Sequence, residues 1–484
     1  MLTRRELLAG SAAAAPAILR GASRQTNVVF IMTDDHGAWA LNSYGCSDIH
    51  SPSIDRLAGQ GARFTRAYAC TPVCSPSRMT YMTGRLPSHH GLQDYLENED
   101  SYGPTSRDFL AGQPTMAETL ADAGYTVGMS GKWHMGHDAQ LHKGFSYWAC
   151  VPGGASLYKD VVFQKNGQRT PTRGYKDDFV ADYGIEFIEA NRDKPFFLYL
   201  AFFGPHVPYN YQPEKYRQFY TESKFPCMPD EPMHPWHTKT MNGKPFFALE
   251  DFYNRNSKWG YSALVSGVDA NVGRVVERLE QLGLRENTLI VFTADQGHNC
   301  GQHGIWGKGN STLPINMYDT SLHVPLIWNQ PGHIKGGQTP DAMVSSYDLY
   351  PTMLEYLGVP DPGDPKRFGH SYAGAVQGRR EKWKNEVYFE YQYVRGIRTE
   401  NLKYIERSKE WPSEMYDLET DPGERKNVID DPKHAKERAA LQARLHNYFN
   451  KAGAPPIEQW RSTTTQRLSV YTGAMGQSPP AEKP

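Results

Sequence analysis

The stretch Asn27-Val-Val-Phe-Ile-Met-Thr33-Asp34-Asp35 decides how this chain is read. A short apolar, β-prone run that breaks into two carboxylates fits a parallel strand buried on both faces, with the acids at its carboxyl end. Three later runs repeat the pattern. Tyr125 to Ser130 stops just before Lys132 and His134, Pro195 to Phe203 just before His206, and Thr288 to Ala294 just before Asp295 and Gln296. In open α/β sheets, ligands bind beyond the carboxyl ends of the strands. One polar pair there is weak, because loops are polar anyway; four sets that converge on one rim are much stronger.

Between these runs the pattern turns helical. Ser51 to Gly59 has Pro near its start and Gly at its end, and Thr115 to Ala123, Ala263 to Leu282, Ser346 to Leu357 and Lys433 to Phe449 follow. Ala62 to Ala69 and His323 to Trp328 read as further strands. Alternation of this kind predicts an α/β fold, a mostly parallel sheet flanked by helices. The segment from Gly358 to Arg380 is rich in Gly, Pro and charge and marks a domain boundary. Beyond it, Glu386 to Tyr391 and Leu402 to Ile405 read as antiparallel strands of a smaller α+β domain. The expected division is a leader over 1–25, a catalytic domain over 26–375, a small domain over 376–462 and a loose tail over 463–484.

Composition narrows the class. The chain has 484 residues, with 52 Lys and Arg against 53 Asp and Glu for a net charge of −1. A neutral chain without a basic stripe is disfavoured as a nucleic-acid binder. With 39% hydrophobic and 22% charged residues it is globular rather than disordered. Six cysteines are too few for a disulfide scaffold and show no zinc-type pairing. Arg4-Arg5 and Leu7-Leu8 precede a short apolar run, as in a twin-arginine export signal; an ordinary disordered N-terminus is the alternative. The expected protein is exported by that machinery, begins near Ser23 to Gln25, and is soluble in the periplasm or outside the cell. No other stretch reaches the ~18 apolar residues of a membrane span.

Asp34, Asp35 and Asp295 cannot sit together unpaired, because their repulsion would raise their pKa values unless a cation neutralises them. Carboxylates with the Gln296 amide oxygen are hard ligands that suit Ca²⁺ or Mg²⁺ better than zinc; the plainer alternative is that Asp34 and Asp35 cap the next segment. Cys74-Ser-Pro-Ser-Arg78 runs into Met79-Thr-Tyr-Met-Thr-Gly-Arg85. Ser75 can cap a helix that Pro76 opens and Gly84 ends. Cys74 then lies at a helix N-terminus near Arg78, the surroundings of a reactive side chain or an anion site. A buried structural thiol and a disulfide with Cys70 are the alternatives.

These residues resemble the sulfatase family of the alkaline-phosphatase-like superfamily. Cys74-Ser-Pro-Ser-Arg78 with Thr83-Gly84-Arg85 matches its first signature, and Gly131-Lys132-Trp133-His134-Met135-Gly136 its second. Pro205-His206-Val207-Pro208, Thr293-Ala-Asp295-Gln296-Gly297, Gly307-Lys308 and Met415-Tyr416-Asp417-Leu418 match further motifs in family order. The resemblance implies an alkaline-phosphatase-like fold. It implies that a maturation enzyme converts Cys74 to formylglycine, and that Asp34, Asp35, Asp295, Gln296 and the residue made from Cys74 bind Ca²⁺, with Mg²⁺ as the alternative. Gln departs from the Asn or His usual at the last ligand position. It further implies that Asp295 accepts the proton of the attacking hydroxyl, that Lys132 and Lys308 hold the sulfate, and that Arg78 orients the formylglycine hydrate. His206, with Lys308, would protonate the leaving alcohol, and His134 would take the second hydroxyl proton.

The implied reaction is hydrolysis of a sulfate monoester, with a carbohydrate as the leading substrate. Choline sulfate, aryl sulfates, and phosphomonoester or phosphonate hydrolysis are the alternatives within the superfamily; a non-catalytic binding protein is the alternative outside it. Trp148, Tyr158, Tyr209, Tyr211, Trp236 and Trp259 either line a sugar cleft or pack loops. His89, His90 and Trp306 are further candidates for substrate contact.

Overall fold

The computed structural model describes residues 25–459 apart from 210, 238–239, 242–243, 246–250 and 252. The expected leader, but for its last residue, and the expected tail lie outside the described residues. Nine strands form the main sheet: β1 (Asn27–Thr33), β2 (Ala62–Phe64), β3 (Thr126–Gly131), β4 (Tyr147–Cys150), β5 (Val162–Lys165), β6 (Gln168–Pro171), β7 (Phe196–Ala201), β8 (Thr288–Ala294) and β9 (Leu326–Asn329). Their order is β2-β9-β8-β1-β7-β3-β4-β5-β6. β1 runs parallel to β8 and β7, and β3 to β7 and β4, whereas the strands toward both edges pair antiparallel. Every residue of β1, β7 and β8 is buried, as continuous apolar runs in a doubly covered sheet require.

The register sets up the site. Thr33 lies beside Ala294, Met32 beside Ala201, and Ala201 beside Gly131, so the four central strands end level. The chain segments that follow them leave on one rim. Successive side chains of a strand point to opposite faces, and each face has its own helices. Phe30 and Tyr199 pack with α2 (Cys74–Thr83) and α6 (Ser346–Leu357), while Ile31 and Leu198 pack with α1 (Pro52–Gly59), α4 (Lys176–Ala190) and α5 (Arg255–Gln281). The short helix α3 (Met116–Asp122) joins the first face, started by a capping box between Thr115 and Glu118.

A second sheet is an antiparallel meander of β10 (Glu386–Tyr391), β11 (Val394–Thr399), β12 (Leu402–Arg407) and β13 (Glu414–Asp417). The last helix, α7 (Ala435–Lys451), lays Leu441, Leu445 and Phe449 against it.

Some expectations are corrected. The strand expected from Ala62 to Ala69 is two: Ala62–Phe64 joins the main sheet, and Ala67–Tyr68 pairs with Val344–Ser345. The strand expected from His323 starts at Leu326, after Pro325, which has no N–H to give a ladder. The helix expected from Ala263 starts at Arg255, where Asn254 accepts a hydrogen bond from the Asn256 amide as its cap.

The disulfide held as an alternative between Cys70 and Cys74 does not form. Cys70 and Cys74 are separate buried thiols, and a disulfide joins Cys46 to Cys227 across 181 residues. A link over so long a loop restricts the unfolded chain and contributes about 2–4 kcal/mol. Reductant should therefore lower the melting temperature of the wild type, and leave that of the Cys46→Ala, Cys227→Ala double variant unmoved. Calorimetry with and without dithiothreitol reads both.

Candidate active site

Asp34 and Asp35 leave β1, and Asp295 and Gln296 leave its neighbour β8. The amides of Asp35 and Gln296 both donate to Asp295 Oδ1, at 3.2 and 2.9 Å, which stitches the two strand ends together. Lys132 and His134 follow β3, and His206 sits in the turn after β7. Cys74 is the first residue of α2. Val73 takes the N-cap place expected of Ser75, whose hydroxyl instead accepts a hydrogen bond from the Leu96 amide at 3.0 Å. Gly84 ends the helix at φ 68°, as its sequence position suggests.

Around Cys74 the charges alternate. Its Sγ lies 3.2 Å from Asp34 Oδ1, 2.8 Å from Lys308 Nζ and 3.5 Å from Gln296 Nε2. Lys308 Nζ also lies 2.5 Å from Asp35 Oδ1, and Lys132 is hydrogen-bonded to Asp34. One turn along α2, Arg78 donates to Asp295 Oδ2 through Nε at 2.9 Å and approaches it with its second nitrogen at 2.8 Å. Its remaining nitrogen donates to the Lys132 carbonyl at 2.9 Å. Ser77 Oγ donates to the Asp295 carbonyl.

Burial pushes the Cys74 thiol up to about 12, and Asp34 adds to the effect. Only a thiolate attacks, so this setting favours the protonated thiol at Cys74. Burial likewise raises Asp295 to about 7, with Asp34 contributing. Burial works against the charged form of Asp34 as well, yet Lys132, His206, Arg78 and Lys308 together hold it well below the usual carboxylate range.

Two histidines follow the carboxyl ends of the neighbouring strands β3 and β7. His134 Nε2 bonds the Leu96 carbonyl at 2.7 Å, which leaves a buried Nδ1 without a partner. Gly154 presses on the same ring: a Cβ there would lie 2.4 Å from the imidazole. Gly154→Ala is therefore expected to displace the His134 ring. His206 Nδ1 bonds the Val207 carbonyl at 2.8 Å, so Nε2 is the atom turned inward, 3.7 Å from Asp35 Oδ2.

Sequence reasoning missed His298. Its Nδ1 lies 3.6 Å from Asp35 Oδ2, and its Nε2 bonds the Tyr209 hydroxyl at 3.3 Å. The ring stacks on Tyr261, whose hydroxyl donates to the Asp35 carbonyl at 2.9 Å. Its place directly after Asp295-Gln296-Gly297 was the available signal.

One atom each from Asp34, Asp35, Cys74 and His206 lies within 4.8 Å of the others, close enough to hold one metal ion. Gln296 adjoins the group, donating through Nε2 to Asp35, while its buried Oε1 has no partner. Amide oxygen and nitrogen exchange by a flip, so an oxygen ligand is within reach of the same carboxylates. Hard oxygens dominate the set, and the residues fit Ca²⁺ or Mg²⁺.

Several candidates for substrate contact are otherwise engaged. Trp148 is fully buried against Trp133, and Trp306 is buried edge-on to Tyr209. His89 bonds the Ala452 carbonyl at 2.7 Å and His90 bonds Thr80 at 3.2 Å, so both hold the fold together. Trp259 donates to the Arg217 carbonyl at 2.6 Å. Tyr211, at 42% exposure, is open to solvent.

A mixed sheet with acids, lysines and histidines gathered at its carboxyl edge around a helix-terminal cysteine describes a hydrolase for anionic esters. The sulfatase family profile matches residues 26–359, and the profile for the C-terminal part of N-sulphoglucosamine sulphohydrolase matches 301–451. The chain belongs to the sulfatase family: it is a sulfuric ester hydrolase of alkaline-phosphatase-like fold. It is 28% identical to N-acetylglucosamine-6-O-sulfatase of Bacteroides thetaiotaomicron, over 87% of this chain and 86% of that protein. It is 26% identical to the ulvan-active sulfatase of Formosa agariphila, over 94% and 86%. A structure solved with its substrate D-glucosamine-2-N,6-O-disulfate matches with a TM-score of 0.74 at 26% identity, over 90% of this chain and all of that one. Among the described residues, no helix is long and apolar enough to cross a membrane.

Proposed function

We propose that this chain is an exported carbohydrate sulfatase that releases inorganic sulfate from a sulfated sugar. It would act through a formylglycine made from Cys74 and a Ca²⁺ ion, with Mg²⁺ as the alternative. The observation that carries the mechanism is the setting of Cys74: a buried side chain opening α2, within reach of Asp34, Lys308 and Gln296 and beside the Arg78–Asp295 ion pair. A plain cysteine has no use for such surroundings; an oxygen nucleophile made from it does. Two of the relatives are named for sulfated carbohydrates, which supports a sugar as the alcohol.

Asp34, Asp35, Asp295, Gln296 and the residue made from Cys74 would hold the cation. When bound, the cation and the hydrated formylglycine together supply a nucleophilic oxygen of lowered pKa. The chain's own residues do the rest. Asp295 is the proton acceptor in this reading, its protonated form favoured by burial and by Asp34. Lys132 and Lys308 bind sulfate oxygens and offset the charge that builds on them in the transition state. Arg78 orients side chain 74 from one helical turn away. His134 Nδ1 accepts a proton, and His206 Nε2 gives one to the alcohol oxygen as its bond to sulfur breaks.

The domain limits proposed are 26–375 for the catalytic unit and 376–462 for the small domain. The partners proposed are the sulfated glycan, the formylglycine-generating enzyme and the export machinery; the Cys46–Cys227 disulfide supports an oxidising compartment. The test is sulfate release from a panel of sulfated sugars, choline sulfate, an aryl sulfate and a phosphonate ester. Release from a sugar sulfate is expected; turnover of the phosphonate ester in preference to every sulfate would overturn the reading.

A further inference from the structure

The turn that carries His206 is held from below by groups with no part in the reaction. Asp177 accepts the amides of Phe203 and Gly204 at 3.2 and 3.0 Å. Tyr158, itself fully buried, aims its hydroxyl between two carbonyls of the turn, that of Phe203 at 2.9 Å and that of His206 at 2.8 Å. Lys176 then locks Tyr158 in place. Its ammonium lies 4.2 Å from the centre of the Tyr158 ring and 3.6 Å from that of Phe203. It also donates to Ser156, to the hydroxyl at 2.9 Å and to the carbonyl at 3.3 Å.

This lysine is costly where it is. It is buried, and it opens helix α4, where the helix dipole opposes a positive charge. A methionine would fill the same space between two rings. What an ammonium adds is a tie between the 156–158 strap, held through Ser156 and the Tyr158 ring, and the ring of Phe203. The same strap presses Gly154 against His134, so a single segment of chain touches the surroundings of both histidines.

We infer that Tyr158 and Lys176 are positioning residues for His206, fixing the backbone of its turn so that Nε2 meets the leaving alcohol oxygen. The inference rests on the reading of His206 as the proton donor. Lys176 acts through Tyr158, and neither touches substrate. A donor that is correctly aimed matters most when the leaving group is a poor one. A sugar alkoxide needs a proton, whereas 4-nitrophenolate leaves without one.

The test compares the wild type with Tyr158→Phe, Lys176→Met and His206→Ala on three substrates: 4-nitrophenyl sulfate, phenyl sulfate and N-acetylglucosamine 6-sulfate. Tyr158→Phe and Lys176→Met are expected to keep 4-nitrophenyl sulfate turnover within about twofold and to lose about tenfold in kcat on the sugar sulfate. His206→Ala should show the same leaving-group trend more steeply. If His206→Ala shows the trend and Tyr158→Phe and Lys176→Met do not, or lose all three substrates alike, the inference is overturned while the reading of His206 stands. If His206→Ala shows no trend, or the wild type hydrolyses none of the three, the parent reading falls and takes the inference with it. Should Tyr158→Phe fail to fold, Lys176→Met carries the same comparison.

Discussion

Cys74→Ala is expected to cut sulfate release by about 10⁴-fold or more while leaving the fold intact. The two halves of that expectation rest on different physics. Alanine is the best helix former and adds no bulk at the first residue of α2; the Sγ it removes makes polar contacts with Asp34, Asp35, Lys308 and Gln296. The melting temperature should thus move little. The chemical loss is another matter, because alanine removes the side chain from which the proposed nucleophile is made. Unmodified wild type should behave like the variant, since burial pushes its thiol up to about 12. Peptide mass spectrometry across Cys74, on protein made with and without the maturation enzyme, gives the modified fraction. Sulfate release measured by ion chromatography should scale with that fraction. Full activity in protein whose Cys74 is wholly unmodified would sink the formylglycine mechanism.

Much of this was legible because the informative features are local. β1 and β8 were read to the residue, since unbroken apolar runs that end in charged groups leave little choice of boundary. α6 was read to the residue too: Ser345 and Asp348 form its capping box and Gly358 ends it at φ 67°. The rim of the site followed from where those strands end. What the sequence could not carry was pairing between distant segments. Nothing near Cys46 points to Cys227, and nothing near His89 points to the carbonyl of Ala452. Ser75 has the right side chain for a cap, but Leu96 claims its hydroxyl from 21 residues away. Tyr158 stayed open between a sugar cleft and loop packing because aromatic rings serve both purposes, and only the two carbonyls of the His206 turn decide which.

The second large effect concerns the cation. As the side chains stand, Lys132 is tied to Asp34, Lys308 to Asp35 and Arg78 to Asp295, so three acids are matched by three bases. On the proposed reading, those same two lysines hold the sulfate. A divalent ion among the carboxylates would release them, and binding would couple directly to activity. Removing divalent ions with EDTA is therefore expected to lower kcat/KM by about 10³-fold or more, and millimolar Ca²⁺ to restore it. Saturating Ca²⁺ at about 100 times its Kd should stabilise the fold by about 2.7 kcal/mol, seen as a rise in melting temperature. Asp35→Asn is a poor probe, because it strands the Lys308 ammonium in the interior, a loss of about 3–5 kcal/mol by itself. Gln296→Leu is better: it keeps the volume and gives up the two hydrogen bonds that Nε2 donates, to Asp35 and to Cys74, while the Oε1 it removes has no protein partner. Titration calorimetry should then show Ca²⁺ affinity reduced by about 10-fold or more. Unchanged affinity in Gln296→Leu would remove that residue from the ligand set. A wild type whose melting temperature ignores Ca²⁺ and Mg²⁺ alike would remove the cation from the mechanism, and leave Lys132 and Lys308 bound to the acids rather than free for sulfate.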